Sequence, residues 1–176
     1  MSTRTIEDIP PGQRVFLDST VFIYHFGGQS PQCRRLLERC ARREIAGVTS
    51  VADFNETCHR LMMMEAVHSG AVSGGGVLRK LRERPDVVMG LRRHVAQLRS
   101  IVSWGIEVLP IDISCALRAA DLRATTGLLT NDAIILATMR DERVSAIATA
   151  DRAFERVEGL QVFPPTDLGQ AHPALA

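Results

Sequence analysis

Four carboxylates in this chain stand where a fold of alternating strands and helices would bring them together. Asp18 closes the apolar run Val15-Phe16-Leu17, and Asp151 follows the run Val144 to Ala148. Glu56 lies two turns into a stretch of helical periodicity that starts after Ser50. Asp132 sits in the first turn of the helical stretch that starts at Thr130 and carries the apolar run Ala133 to Met139. If the first two runs are parallel strands, both aspartates fall beyond the carboxyl ends of strands, the edge at which open α/β sheets bind ligands. Carboxylates that meet there repel one another unless a cation neutralises them. Hard cations such as Mg²⁺ or Mn²⁺ take carboxylate and water oxygens. At a phosphodiester such an ion activates a water and stabilises the charge growing on the phosphate, with no nucleophilic side chain required.

Each acid also has a plain structural reading. Asp132 could favour a helix N-terminus through the macrodipole, although it lines up with Ile135, Leu136 and Met139, and an unpaired buried carboxylate is costly. Glu56 lies almost opposite the apolar stripe of its own helix, so a solvated surface acid fits equally well. Asp18 and Asp151 could be turn residues. Asp53 and Asp112 are read as helix-capping residues. The histidines at 25, 59, 68, 94 and 172 have no spacing that suggests a metal pair or triad. The glycines at 70 and 74–76 lack the Gly-Lys-Ser/Thr ending of a phosphate-binding loop and read as a hinge. Val72-Ser73-Gly74 lacks the first glycine of a serine-hydrolase elbow, and a phosphatase would want an acid at Thr20. Met62, Met63 and Met64 are assigned to core packing rather than to a partner surface.

The elements that must position these groups follow from periodicity. Val15 to Leu17 forms a short strand, with a short segment from Thr20 to Phe26 behind it. A helix from Pro31 to Ile45 buries Leu36, Leu37, Cys40 and Ile45 and is stopped by Gly47. Val48-Thr49 makes a brief strand. Ser50 caps a helix with Asp53 at its third position, and Val51, Phe54, Cys58, Leu61 and Met62 form its buried face. Gly70 to Gly76 is a flexible loop, and residues 77–103 are helical in pattern with a break at Pro85. Glu107 to Ile111 is a strand, Asp112 or Ser114 caps a helix through Thr125, and Gly127 closes it. The run from Thr130 is a helix buried almost all round; Val144 to Ala148 is a buried strand and Gln161 to Phe163 an edge strand. Strands alternating with helices predict an α/β sandwich with a largely parallel sheet. The expected organisation is an N-terminal arm (1–13), one domain (14–165) with an enlarged helical segment at about 66–103, and a short, loose tail (166–176).

Composition narrows the setting. The chain has 176 residues, the size of a single domain, and a formal charge of +1. No apolar run approaches the ~20 residues of a membrane span. Glu7, Asp8 and Pro10-Pro11 occupy the place where a signal peptide needs an apolar core. Cys33, Cys40, Cys58 and Cys115 form no CxxC pair and read as reduced, mostly buried thiols of a cytoplasmic protein. Charge is uneven locally. Residues 79–99 carry Arg79, Lys80, Arg82, Arg84, Arg92, Arg93 and Arg99 against Glu83 and Asp86, a balance of +5, and residues 34–43 reach +4. Either patch could track a phosphate backbone or be a solvated helix face. Arg79, Lys80, Arg82, Arg92 and Arg93 are the candidate nucleic-acid contacts.

Four segments in this order, LDSTVFIYHF (17–26), TSVADFNET (49–57), LLTNDAIILATM (128–139) and IATADRAFERVEGLQVF (147–163), resemble the PIN-domain nucleases. Within them the chain is most similar to the VapC-type toxin ribonucleases of toxin–antitoxin pairs. The resemblance covers about residues 14–60 and 106–165; the segment from Ala66 to Ser103 is longer than in the compact toxins. It implies a three-layer sandwich with a short, mostly parallel central sheet, and it places the family's acids on Asp18, Glu56, Asp132 and Asp151. The supporting hydroxyls fall on Ser19 and Thr149. The implied activity is endoribonuclease cleavage dependent on Mg²⁺ or Mn²⁺, with RNA as substrate, an antitoxin protein as partner and a homodimer as assembly. A housekeeping RNA-processing nuclease, or a silent PIN fold that binds RNA or protein, are the alternatives that remain open.

Overall fold

The computed structural model describes residues 4–169. Its centre is a sheet of five parallel strands in the order β3-β2-β1-β4-β5, made of β1 (Arg14–Leu17), β2 (Ala46–Ser50), β3 (Glu107–Leu109), β4 (Ala146–Ala148) and β5 (Gln161–Phe163). Leu17 pairs with Ala148, and Phe16 with both Val48 and Ile147. All five carboxyl ends therefore point to one edge. The chain winds outward from β1 in one direction to β2 and β3, then returns to the other side for β4 and β5. The crevice between β1 and β4 is thus the point where the winding reverses, the place such sheets reserve for ligands.

Helices cover both faces. Val15 and Leu17 face a core built with α1 (Ser19–Phe26), α2 (Pro31–Ala41) and α6 (Arg93–Ser103). Phe16 and Val48, on the other face, pack with α7 (Ile113–Thr126) and α8 (Thr130–Asp141). The alternation along β1 is the two-residue period of a strand buried on both sides. Helix α3 (Val51–His68) packs against α1 and α6 on the first of these faces, followed in the chain by α4 (Val77–Glu83) and α5 (Pro85–Gly90). Among the described residues no helix is long and apolar enough to cross a membrane.

Several local expectations change. The second helix ends at Ala41 rather than Ile45, because Arg43 takes a left-handed conformation (φ 61°) and turns the chain toward β2. Gly47 does not stop that helix. It lies inside β2, where a Cβ would come within 3.0 Å of Cys40 Sγ and Leu17 Cδ1. Val51, expected in the buried face of α3, is 50% exposed; the fully buried residues there are Asp53, Thr57, Leu61 and Ala66. The 77–103 segment breaks twice, at Pro85 and again between Gly90 and Arg93, and with Met62 and Met63 it encloses a small core of its own around Ala66, Val72, Leu81 and Leu91. Strand β3 ends at Leu109 before Pro110, and β4 starts only at Ala146. Asp112, not Ser114, caps α7, accepting from Cys115 N–H at 2.7 Å. The tail is anchored as far as Asp167, whose carboxylate accepts from Ser30 Oγ (2.6 Å) and Gln32 N–H (2.8 Å) and so caps α2.

Candidate active site

Asp18 leaves β1 at the crevice, 6% exposed, and its carboxylate is gripped from two sides. Oδ2 accepts from Thr20 Oγ1 and from Thr149 Oγ1, both at 2.6 Å, and Oδ1 from Ser19 Oγ at 3.3 Å. The two threonines also bridge the strands. Thr20 Oγ1 accepts from Ala150 N–H at 3.2 Å and Thr149 Oγ1 from Asp151 N–H at 2.9 Å. One hydrogen-bonded ring thus joins the end of β1 to the end of β4 and sets Asp18 beside Asp151. Thr149 is fully buried with its hydroxyl on Asp18, so the side chain between two alanines does face the crevice.

Asp151 is exposed and caps the 3₁₀ turn Arg152–Arg156 by accepting from Ala153 N–H at 2.7 Å. Asp132, half-buried in the first turn of α8, has its carboxyl raised above its ordinary value. Burial is the largest cause, followed by the charges of Asp151 and Asp18 and, more weakly, Glu56; the Leu129 N–H works the other way. Asp132 therefore senses all three of the other expected acids at once. Glu56 is the outlier, with its side chain 39% exposed and paired with Arg60 at 3.9 Å. Of the four expected acids, Asp18 is buried, Asp132 and Glu56 are half-buried and Asp151 is exposed.

Two further groups belong to this constellation. Thr20 carries one of the two short bonds that hold Asp18. Asp53, expected only to cap α3, is 2% exposed. Ser50 Oγ does accept its N–H, at 3.2 Å. The Asp53 carboxyl, however, accepts from Ser50 Oγ through Oδ2 and from Ser19 N–H through Oδ1, at 3.4 Å. Burial, and next the charge of Asp18, push it well above the usual carboxylate range. The sequence signal lay in Asp53, Thr57 and Leu61, spaced i, i+4, i+8 on one stripe.

No ion pair among the described residues reaches Asp18, Asp53, Asp132 or Asp151. Nor do three acidic, histidine or cysteine side chains among them stand close enough to enclose an ion. The donor chemistry nonetheless fits a hard divalent cation: all oxygen and mutually repelling, with no ion pair among the described residues on Asp18, Asp132 or Asp151.

The basic segments differ. Arg34, Arg35, Arg39 and Arg42 pair with Glu38, Glu7 and Glu44, and Arg43 donates to Gly105 O at 3.1 Å, so the 34–43 patch is largely engaged within the protein. Lys80 Nζ donates to Ser73 O. Arg79, Arg82, Arg92 and Arg93 are exposed. All four cysteines are free thiols, with Cys33, Cys40 and Cys115 buried.

Known proteins share this fold. A curated relative, Ribonuclease VapC6 of Methanocaldococcus jannaschii, is 25% identical over 149 residues, covering 85% of this chain and 95% of that protein. Among solved structures, VapBC2 from Rickettsia felis bound to a promoter DNA fragment aligns with a TM-score of 0.56 and 15% identity, over 87% of this chain and 99% of that one. A toxin–antitoxin complex from Klebsiella pneumoniae aligns at 0.51 and 19%, over 83% and 94%. FitAB bound to a DNA fragment aligns at 0.51 and 17%, over 90% and 99%. These structures share the fold. With the PIN domain family model matching residues 15–160, the chain belongs to the PIN domain family.

Proposed function

We propose that this chain is a metal-dependent endoribonuclease of the cytoplasm and the toxin of a toxin–antitoxin pair. The observation that carries the reading is that Thr149 ties Asp18 to the Asp151 backbone at the β1/β4 crevice while the charges of both raise the Asp132 carboxyl, with no ion pair on the three among the described residues. The ribonuclease named among its relatives and the toxin–antitoxin complexes among its structural neighbours support the substrate class and the protein partner.

Asp18, Asp132 and Asp151 would hold Mg²⁺ or Mn²⁺, with Glu56 joining by leaving Arg60. When bound, the cation supplies an acidified water and neutralises charge developing on the scissile phosphate. The chain's own residues prepare the place. Thr20 and Thr149 hold one oxygen of Asp18 and leave the other to a single, longer bond from Ser19, so that oxygen is the freer donor. Thr149 also fixes the Asp151 backbone. Arg79, Arg82, Arg92 and Arg93 supply phosphate contacts without sequence choice, whereas Lys80 is tied to its own loop. A homodimer would close on the face of α7 that exposes Ile113 and Leu117, at 74% and 62%.

The test is cleavage of a mixed pool of structured RNAs by purified protein with Mg²⁺, Mn²⁺ or EDTA, beside Asp18→Asn and Asp132→Asn. Cutting that needs the metal and disappears in both variants is expected. Cutting that survives EDTA, or full activity in Asp132→Asn, overturns the reading.

A further inference from the structure

Asp18 occupies the N-cap of α1, with the extended backbone that position requires (φ −67°, ψ 153°). An aspartate there ordinarily folds its carboxylate back onto an amide in the first turn of its own helix. Asp18 makes no such bond. Its oxygens are drawn the other way, into the crevice, by Thr20, Thr149 and Ser19. The start of α1 is nevertheless buried, Ser19 being 3% exposed, and buried N–H groups without partners are costly.

Asp53 meets that need from another helix. Its Oδ1 accepts the Ser19 N–H, a long bond of 3.4 Å, and its carboxyl stands at the positive end of the α1 dipole. It is held in place by Ser50, whose Oγ donates to Oδ2 and accepts the Asp53 N–H. We infer that Asp53 is a positioning residue: by accepting the buried N–H of Ser19, the first residue of α1, it fixes the start of the helix and with it the Asp18 carboxylate in the crevice. This rests on the proposed metal-dependent site and adds a fifth acid that acts through Asp18 rather than on the ion. Without the Asp53 acceptor, the buried Ser19 N–H is left without this partner and the start of α1 that carries Asp18 shifts, loosening the Asp18 bonds to Thr20 and Thr149.

The test uses the full-length protein and Mn²⁺ alone. Calorimetry gives Mn²⁺ affinity, and thermal melts in EDTA and in Mn²⁺ give stability, for wild type, Asp18→Asn, Asp53→Ala and Asp53→Asn. The asparagine keeps an oxygen for Ser19 N–H and an N–H for Ser50; the alanine keeps neither. Asp53→Ala should bind Mn²⁺ at least ~10-fold more weakly, the size expected when the support of a metal ligand is removed. Asp53→Asn should stay within about 3-fold of wild type, most of the support being restored. With RNA, kcat should fall in Asp53→Ala while KM holds. If Asp53→Ala fails to fold, Asp53→Ser, too short to reach Ser19, replaces it.

An Asp53→Ala protein that melts earlier but binds Mn²⁺ like wild type overturns the inference, because a purely structural role predicts that result. Asp53→Asn as weak as Asp53→Ala also overturns it, since the charge and not the cap would then serve the ion. Wild type that takes up no more Mn²⁺ than Asp18→Asn overturns the proposed function, and the inference with it.

Discussion

Two buried acids on the same helix, Asp53 and Glu65, live in opposite electrostatic worlds. Glu65, in the last turns of α3, has a side chain 13% exposed and is satisfied within the protein. Its Oε1 accepts the N–H groups of Arg92 and Arg93 at 2.8 and 2.9 Å, and its Oε2 accepts His94 N–H at 2.9 Å and meets His94 Nδ1 at 2.7 Å. Burial alone would raise its carboxyl; those bonds outweigh burial and bring it down to about 2. Helix α6 has no side-chain cap of its own, so Glu65 caps it from across the interface and ties the enlarged segment to the domain. Asp53 has a serine hydroxyl, one long N–H bond and a like charge beside it, and its carboxyl moves up. Bonds from three backbone N–H groups and a histidine outweigh the burial of Glu65, whereas two bonds and the neighbouring charge of Asp18 leave burial dominant at Asp53.

Asp132→Asn breaks that comparison most severely. RNA cleavage should fall by about 10³-fold, the rate equivalent of several kcal/mol. In EDTA the same variant should melt higher than wild type, because it relieves repulsion. The sign follows from the raised carboxyl of Asp132: its contribution to stability is present below the unfolded value and is lost as pH rises through the folded one. A cleavage assay and a pair of melts check both halves.

Thr149→Val comes next. It keeps the buried volume but removes the hydroxyl from Asp18 Oδ2 and Asp151 N–H. Cleavage should drop by about 10–100-fold, and Thr149→Ser should restore most of it, as read in single-turnover rates.

These effects were legible in the sequence to different depths. Asp18, Asp132 and Asp151 stood out because strand ends and an apolar helix start constrain where a carboxylate can sit. Asp53 was hidden because a capping rule already explained it, and hydrophobic periodicity placed the buried stripe of α3 through Val51 rather than through Asp53 and Thr57. That part of α3 packs on α1 and the polar crevice, so its buried side is not its apolar side. Pro85 announced the first break in the 77–103 segment. The second, before Arg93, is set by Glu65 from more than twenty-five residues away, and no local pattern records it. Gly47 was recognised as special for the wrong reason: backbone crowding against Cys40 and Leu17 demands it, not helix termination.

Glu65→Gln sharpens the contrast from the structural side. Removing a charge that three N–H groups and a histidine surround should cost about 2 kcal/mol, read as a shift in urea midpoint, with cleavage per folded molecule unchanged. Because the folded carboxyl is depressed, this stability is present above the unfolded value of about 4.3 and disappears as pH falls toward about 2. The gap between wild type and Glu65→Gln should therefore close across that window. The smallest expected effect is Arg82→Ala, which should weaken RNA binding several-fold and lower the salt slope by about one unit or less. A titration at two or more salt concentrations detects it.

The most direct measurement is an anomalous difference map at the manganese edge from crystals of the wild-type protein soaked in Mn²⁺. The account predicts a peak in the β1/β4 crevice, within ligand distance of Asp18, Asp132 and Asp151, and none at Glu65. A peak elsewhere on the protein with the crevice empty would contradict it.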